Sequence, residues 1–350
     1  MIILVTGGAG FVGSHVATYY ARKGNQVICY DNLSRADLLK KLVNKTYNWD
    51  YLKNFSNVKL IDGDIRNSDK LKETTKDVDA IIHTAAQTAV TTSIQDPRID
   101  FEVNALGTFN VLEAARLSDS DPAIIYCSTN KVYGNNVNEI RVIEKETRYA
   151  FEDKFKNGIP ETFPIDLCEH TPYGCSKLAA DLYVQDYAHL YGLETAVFRM
   201  SCVYGVRQFG VEDQGWMAWF TIATILEKPI TIYGNGKQVR DVLYVSDLVN
   251  AFDAFLRKKD QIHHAVFNMG GGPKNTVSLL ELLDLLEELT RKRSKITFDD
   301  WRLGDQKVYV SDISKAREVL GWEPKVKTRE GVEKLVRWVE ENKEVFNWIH

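Results

Sequence analysis

Residues 1–31 constrain this chain more than any other stretch. Ile2–Val5 is a short continuous apolar run, the pattern of a parallel strand covered on both faces. Gly7, Gly10 and Gly13 follow at three-residue spacing, and an apolar helical pattern opens with Phe11 and Val12. Such a turn must be tight, must bring bare backbone up to a pyrophosphate at the helix N-terminus, and must let helix and strand pack closely. A side chain at these glycines obstructs one or more of these. Val27–Tyr30 reads as the next strand and ends at Asp31. A carboxylate there accepts hydrogen bonds from both hydroxyls of an adenosine ribose and repels a 2′-phosphate, which favours NAD over NADP. Arg35 is the opposing signal, because an arginine nearby can accommodate that phosphate.

The alternation continues. Strands are expected at Val58–Ile61, Ala80–His83, Ile124–Ser128, Glu194–Arg199 and Ala265–Met269, and helices around Ala36–Val43, Pro97–Leu117 and Pro172–Leu190. This predicts an α/β fold with a doubly wound parallel sheet, whose ligands bind beyond the carboxyl ends of the strands. The candidates Asp31, Asp64, Ala85–Gln87 and Ser128–Lys131 all fall at such ends. Asp64 sits where either an adenine amino group or a helix cap would use it. Residues 135–170 break the pattern and read as a long excursion over the site. With 350 residues there is room for two domains. The expected division is a dinucleotide-binding domain over 1–200, with 240–269 returning to it, and a smaller α/β substrate lobe from 201–239 and 270–350.

Tyr173 and Lys177 stand four residues apart at the start of a helix and so share a face. A lysine ammonium and the positive nicotinamide ring both favour the phenolate, making a usable base for a hydroxyl proton. Thr129, ending the fifth strand, can bond the same hydroxyl. The spacing is common in helices; its meaning comes from the dinucleotide-binding pattern and Thr129 around it.

Thr6–Gly13, Asp31-Asn32-Leu33, Asp62-Gly63-Asp64, His83–Gln87, Asn104, Tyr173 with Lys177, Arg199 and Arg240-Asp241-Val242 together resemble the extended short-chain dehydrogenase/reductases, the nucleotide-sugar epimerases, dehydratases and decarboxylases. The resemblance covers nearly the whole chain. It implies tightly held NAD, contacted from Gly7, Gly10, Phe11, Val12, Gly13, Asp31, Asn32, Ser34, Arg35, Asp64, Ile65, Ala85, Ala86, Gln87, Asn104, Ser128, Tyr173, Lys177 and Arg199. It implies catalysis by Thr129, Tyr173 and Lys177, with no metal. The dehydratases of the superfamily carry an acidic pair after the threonine, where this chain has Asn130 and Lys131. The hydride-transfer residues are kept and the elimination acids are missing, which leaves epimerisation. Ser128–Gly134, Glu146–Tyr149, Arg207-Gln208-Phe209, Asp213–Trp216 and Gly234–Asp241 resemble the branch that converts CDP-paratose to CDP-tyvelose at carbon 2. The implied substrate is a nucleotide-diphosphate sugar, CDP-linked by preference, met by Thr129, Asn130, Lys131, Gln208, Trp216, Arg240 and Arg302. Trp216 can equally fill the lobe's core, and Arg207 can equally be a solvated surface charge. A 4-epimerase of UDP-hexoses shares the same residues, and a non-catalytic NAD-binding scaffold shares the same fold.

A net charge of -4 gives nucleic acid or an anionic surface nothing to bind through bulk charge. No apolar run is long enough to span a bilayer. Five cysteines without metal-ligand spacing suit a reducing cytoplasm, and a start inside a buried strand leaves no room for a signal peptide. The resemblance implies a homo-oligomer, dimer or tetramer.

Overall fold

A computed structural model describes residues 1–39 and 46–349. They divide into two compact units: Met1–Val132, Pro172–Arg199 and Val249–Phe267 form the first, and Tyr133–Thr171, Met200–Leu248 and Asn268 onward the second.

The first unit is built on a seven-stranded sheet. Its strands are β1 (Ile2–Thr6), β2 (Gln26–Asp31), β3 (Val58–Asp62), β4 (Ala80–His83), β5 (Ala123–Thr129), β6 (Thr195–Met200) and β7 (His264–Met269). They lie in the order β7-β6-β5-β4-β1-β2-β3. β1 runs parallel to β2 and β4, β2 to β3, and β4 to β5, so the strand order reverses between β1 and β4, where this class of sheet takes its ligand. The apolar runs read from the sequence are the buried strands: Ile3, Leu4, Val5, Ile81, Ile82, Ile124 and Ile125 are all inaccessible. Four helical stretches matter for the site: α1 (Phe11–Arg22), α2 (Pro97–Phe101), α3 (Gly107–Arg116) and α4 (Pro172–Tyr191). Asp96 caps α2 by accepting from Ile99 N, and Pro97 opens it, both ordinary helix-start devices. The single helix expected over Pro97–Leu117 is interrupted by a π-helical turn, Glu102–Leu106, between α2 and α3. The helix expected over Ala36–Val43 is present as Arg35–Leu39, and residues 40–43 lie outside the described residues.

The second unit has its own sheet. The strand Val239–Tyr244 pairs with Cys202–Tyr204 and Val308–Tyr309 in parallel and with Thr276–Ser278 antiparallel. Two departures from the expected division follow from local bonding. Residues 240–248, expected to return to the first domain, stay in the second because that strand's partners are there. The excursion after β5 also belongs to the second unit. Gly134, at φ 53°, has no room for a side chain against Cys168, Glu169 and His170. Val142–Glu144 and Tyr149–Phe151 then form an antiparallel ribbon, and Tyr149 N donates to Lys237 O. The excursion is a folded part of that unit rather than a bare loop.

At the β1–α1 turn, Gly7 has φ 71°, and a Cβ on Gly13 would stand 2.1 Å from the Gly7 carbonyl oxygen and 2.8 Å from Thr84 Oγ1. Backbone fills the space that any larger residue would need. Gly13→Ala should therefore lower the urea midpoint by the equivalent of roughly 1–3 kcal/mol, the cost of overpacking; an unchanged midpoint would show that the turn can shift aside.

Candidate active site

The cradle at the sheet's crossover is made of backbone. A Cβ at Gly7 would meet Ala85 N at 2.6 Å, and one at Gly8 would meet Cys29 Cβ at 2.6 Å, so the turn rests directly on the ends of β4 and β2. Gly10 caps α1 with extended backbone and no side-chain bond, and no acid stands in the first helical turn. A helix start of that kind suits a pyrophosphate. The Asp31 carboxylate accepts from Ala9 N at 2.9 Å and Leu33 N at 2.8 Å, which fixes it beside the turn. Burial raises its pKa against those two bonds. Asn32 Nδ2 donates to Asp64 at 2.8 Å, and Asn32 Oδ1 accepts from Ser34 N. Burial also acts on Asp64, but the Arg66 side chain, bonded to both carboxylate oxygens, holds it below its usual value. Burial brings Arg35 down to about 10. Phe11, Val12, Ala85 and Ala86 are half-buried, and Ile65 is buried beneath Gly107. These groups fit a dinucleotide: bare backbone for the diphosphate and a fixed carboxylate for a ribose.

Three of the expected cofactor residues sit inside the protein's own bonding. Asn104 Oδ1 accepts from Gln87 N, and its Nδ2 donates to Gln87 O, Asp100 and Ser176 Oγ, at 2.9–3.1 Å. Ser128 Oγ donates to Asp181 at 2.7 Å. Arg199 donates to both oxygens of the same carboxylate, at 3.0 and 3.1 Å, and Asp181 has no exposure. Arg199 and Asn104, expected to touch cofactor, have side chains bonded within the protein, Arg199 to Asp181 of α4 and Asn104 to Gln87, Asp100 and Ser176.

The three candidate catalytic residues meet in the first unit. Thr129 ends β5, and Tyr173 and Lys177 occupy the first turns of α4; all are buried. Ser93 Oγ accepts from Tyr173 N and tethers the helix start. Lys177 Nζ donates to Cys127 O at 2.7 Å and lies 4.3 Å from the centre of the Tyr126 ring. Burial drives its pKa down to about 8, opposed by Cys127, Asp181 and Asp100. Burial pushes the Tyr173 phenol up to about 12, and the group that pulls it back is the Thr129 hydroxyl, not Lys177 as expected. The lysine reaches back to the β5 carbonyl, and its charge is engaged there. Asn130 follows Thr129 and accepts from its hydroxyl at 3.4 Å, while Lys131 N donates to Thr129 Oγ1.

The second unit holds the other substrate candidates. Arg240 donates to Gln306 O at 2.6 Å and to Asp305 at 2.5 Å. Arg302 donates to Glu212 O and Asp213 and lies 3.8 Å from the centre of the Tyr233 ring. Because Asp305 N donates to Arg302 O, a single turn carries both Arg302 and the carboxylate that holds Arg240. Gln208 is buried with Nε2 on Val203 O, and Arg207 is buried rather than a solvated charge. Trp216 is half-buried against Phe220.

Four groups escaped the sequence reading. Asp100, Ser176 and Asp181 are ordinary polar residues on helices, and nothing in their spacing marks them as buried. His83 is legible only as a strand end and as the first residue of the His83–Gln87 stretch. Its Nδ1 accepts from Thr6 Oγ1 at 2.6 Å, and its Nε2 donates to Thr108 Oγ1, whose own proton goes to Asn104 O. That chain fixes a neutral imidazole, and burial, with Lys177 nearby, brings its pKa to about 3.

A dinucleotide cradle on a doubly wound sheet, with a buried tyrosine, threonine and lysine at the end of its fifth strand, defines an NAD-dependent enzyme of the extended short-chain dehydrogenase/reductase class. The chain belongs to the family described as GDP-mannose 4,6 dehydratase, which it matches over residues 4–335. It is 44% identical to the CDP-paratose 2-epimerase of Salmonella typhi over 345 residues, 97% of this chain and 99% of that one. Among solved structures it resembles the UDP-glucose 4-epimerase of Thermotoga maritima with UDP-glucose (TM-score 0.80, 30% identity, 98% of this chain and 100% of that one). It also resembles the UDP-glucuronic acid 4-epimerase of Bacillus cereus in complex with UDP-glucuronic acid and NAD (TM-score 0.79, 30% identity, 97% and 99%). Among the described residues no helix is long and apolar enough to cross a membrane.

The two buried bases give stability a pH dependence of one origin, burial, and one sign, in two separate pH windows. Below about pH 6.5 the unfolded chain takes up a proton at His83 that the folded chain refuses until about pH 3, so this residue's contribution falls with acid. Between about pH 8 and 10.5 the unfolded chain keeps the Lys177 proton that the folded chain has lost, so that residue's contribution rises with pH. Each slope approaches about 1.4 kcal/mol per pH unit. Urea titrations across pH should show the acid slope flattened in His83→Gln and the alkaline slope flattened in Lys177→Met.

Proposed function

We propose that the protein inverts carbon 2 of a nucleotide-diphosphate sugar, with CDP-paratose and CDP-tyvelose as the natural pair and CDP-glucose as a poorer substrate. The observation that carries this reading is Thr129, Tyr173 and Lys177 at one site, with Asn130 and Lys131 directly after the threonine, where an eliminating enzyme needs acids. The whole-length likeness to a CDP-paratose 2-epimerase supports the choice of carbon and nucleotide.

When bound, NAD supplies a hydride acceptor that also serves as the returning donor, together with a positive ring charge that favours the phenolate. The chain's own residues handle the proton. Tyr173 accepts it from the carbon-2 hydroxyl and later returns it, acting as general base and then general acid. Thr129 bonds the same hydroxyl and stabilises the phenolate. The protein alone holds Tyr173 near 12, so the base is made only when the site fills. Lys177, an ammonium below about pH 8, keeps a positive charge behind the pair. Between the two half-reactions the 2-keto sugar turns its other face while its diphosphate stays anchored. Arg240 and Arg302 are the proposed anchors, held ready by Asp305 and Asp213, with Lys131, Asn130, Gln208 and Trp216 toward the sugar. Guanidinium pairs with phosphate oxygens as it does with those carboxylates. In this reading the second unit is the nucleotide-sugar lobe. Exposed Phe101, Leu182 and Tyr183 on α2 and α4 are consistent with a homo-oligomer.

Purified protein without added cofactor should convert CDP-paratose with inversion at carbon 2 and no deuterium uptake, followed by proton NMR in deuterated water. Tyr173→Phe should slow it by about a hundredfold or more. Inversion at carbon 4 would reassign the chain to the 4-epimerases, and no reaction with CDP-paratose, CDP-glucose or UDP-glucose would leave a non-catalytic NAD-binding protein.

A further inference from the structure

Asp100 is a carboxylate with no solvent exposure, and nothing in the proposed proton chemistry uses it. Three side chains from three parts of the first unit converge on it. Ser176 Oγ donates at 2.5 Å from α4, Gln87 Nε2 at 2.7 Å from the segment after β4, and Asn104 Nδ2 at 3.1 Å from the π-helical turn. The orientation of both amides is fixed independently. Gln87 Oε1 accepts from Ala89 N at 2.6 Å, and Asn104 Oδ1 accepts from Gln87 N at 2.9 Å, so each must turn its NH2 group toward Asp100. A group that meets only donors is an ionised carboxylate. An isolated buried charge is expensive and needs a partner. Burial raises the pKa of Asp100, and the Ser176 and Gln87 bonds and the charge of Lys177 oppose that rise.

Ser176 lies between Tyr173 and Lys177 in the sequence of α4, so the bond that binds Asp100 to the helix holds the reacting pair as well. The π-helical turn that inserts Asn104 into this cluster is the kind of local irregularity found at functional sites. The titratable groups around the cluster form one set. Asp100 faces Lys177 and Tyr173 of α4, Cys127 of β5 and Asp181 of α4 act on Lys177, Cys127 also acts on Tyr173, and Lys177 acts on His83 of β4.

We propose that Asp100 is a positioning residue for the Tyr173–Lys177 pair: it fixes α4 through Ser176 and is a buried counter-charge to the Lys177 ammonium. This rests on the reading of Tyr173 and Lys177 as the reacting groups. The same charge opposes ionisation of Tyr173, so Asp100 ties the two groups together. Removing it lets both lose their protons at lower pH.

The test compares wild type with Asp100→Asn, using turnover against pH and, in parallel, tyrosinate formation by ultraviolet difference against Tyr173→Phe. In Asp100→Asn the tyrosinate transition and the alkaline loss of turnover should both move down by about one pH unit or more. A variant that turns over more slowly with both transitions unmoved shows a merely structural aspartate and overturns the proposal. If Asp100→Asn does not fold, wild type carrying carbon-13 in its aspartate carboxyls gives the answer. The resonance that Ser176→Ala perturbs should be that of an ionised carboxylate at neutral pH and should shift as Lys177 titrates near pH 8, a response lost in Lys177→Met. A protonated Asp100, or one indifferent to Lys177, overturns the proposal. Unchanged turnover in Tyr173→Phe would sink the catalytic reading instead, and the tyrosinate and carbon-13 measurements stand without turnover.

Discussion

The site depends on a lysine ammonium held out of water. Lys177 Nζ donates to the Cys127 carbonyl at 2.7 Å and lies over the face of Tyr126. Neither carries a full charge, so the compensation comes from Asp100 and Asp181, both fully buried. Each carboxylate in turn is surrounded by donors. Asp181 takes bonds from Ser128, Gln185 and Arg199, and Asp100 from Ser176, Gln87 and Asn104. Through these bonds one buried charge ties β5, α4, β6 and the π-helical turn into a single electrostatic cluster. A partial network of this kind would be worse than an apolar core, because each unpaired member would keep its desolvation cost.

The cofactor cradle works on the opposite principle. It depends on the absence of side chains rather than on their pairing. Gly7 rests on Ala85 and Gly13 on Gly7, so the turn is positioned by van der Waals contact between backbones. Asp31 is then locked by two backbone donors. His83 stitches β4 to β1 and α3 by a directed chain of hydroxyl bonds and stays neutral throughout the physiological range. The rigid cradle and the charged cluster meet at Gln87, whose backbone N–H and side chain bond Asn104 and Asp100. That meeting gives a physical reason why the diphosphate-binding turn and the tyrosine stay in register.

Much of this was legible beforehand. Continuous apolar runs marked β1, β4 and β5 because a strand covered on both faces has no polar side to show. The glycine spacing marked the turn because no other residue fits there. Tyr173 and Lys177 were legible once Thr129 and the fold stood beside them. Arg199 and Asn104 were assigned to the cofactor from resemblance, and their side chains are inside the protein's own network. The second unit was the harder part. Its strands are short, and Val239–Tyr244 finds partners far away in the chain, so sequence order gave no hint that residues 133–171 would fold with it.

By itself, the sequence determined the doubly wound sheet, the dinucleotide turn, the tyrosine–lysine face and the lack of an acidic pair after Thr129. Each is a local matter of residue type at fixed spacing, and backbone sterics or helix periodicity make it readable. Only the tertiary structure decided that Lys177 turns to the Cys127 carbonyl, that Thr129 is the group easing Tyr173, and that Asp100 and Asp181 lie buried beside them. Those outcomes depend on which polar groups lose water together, and desolvation is a property of the packed chain rather than of any segment in it.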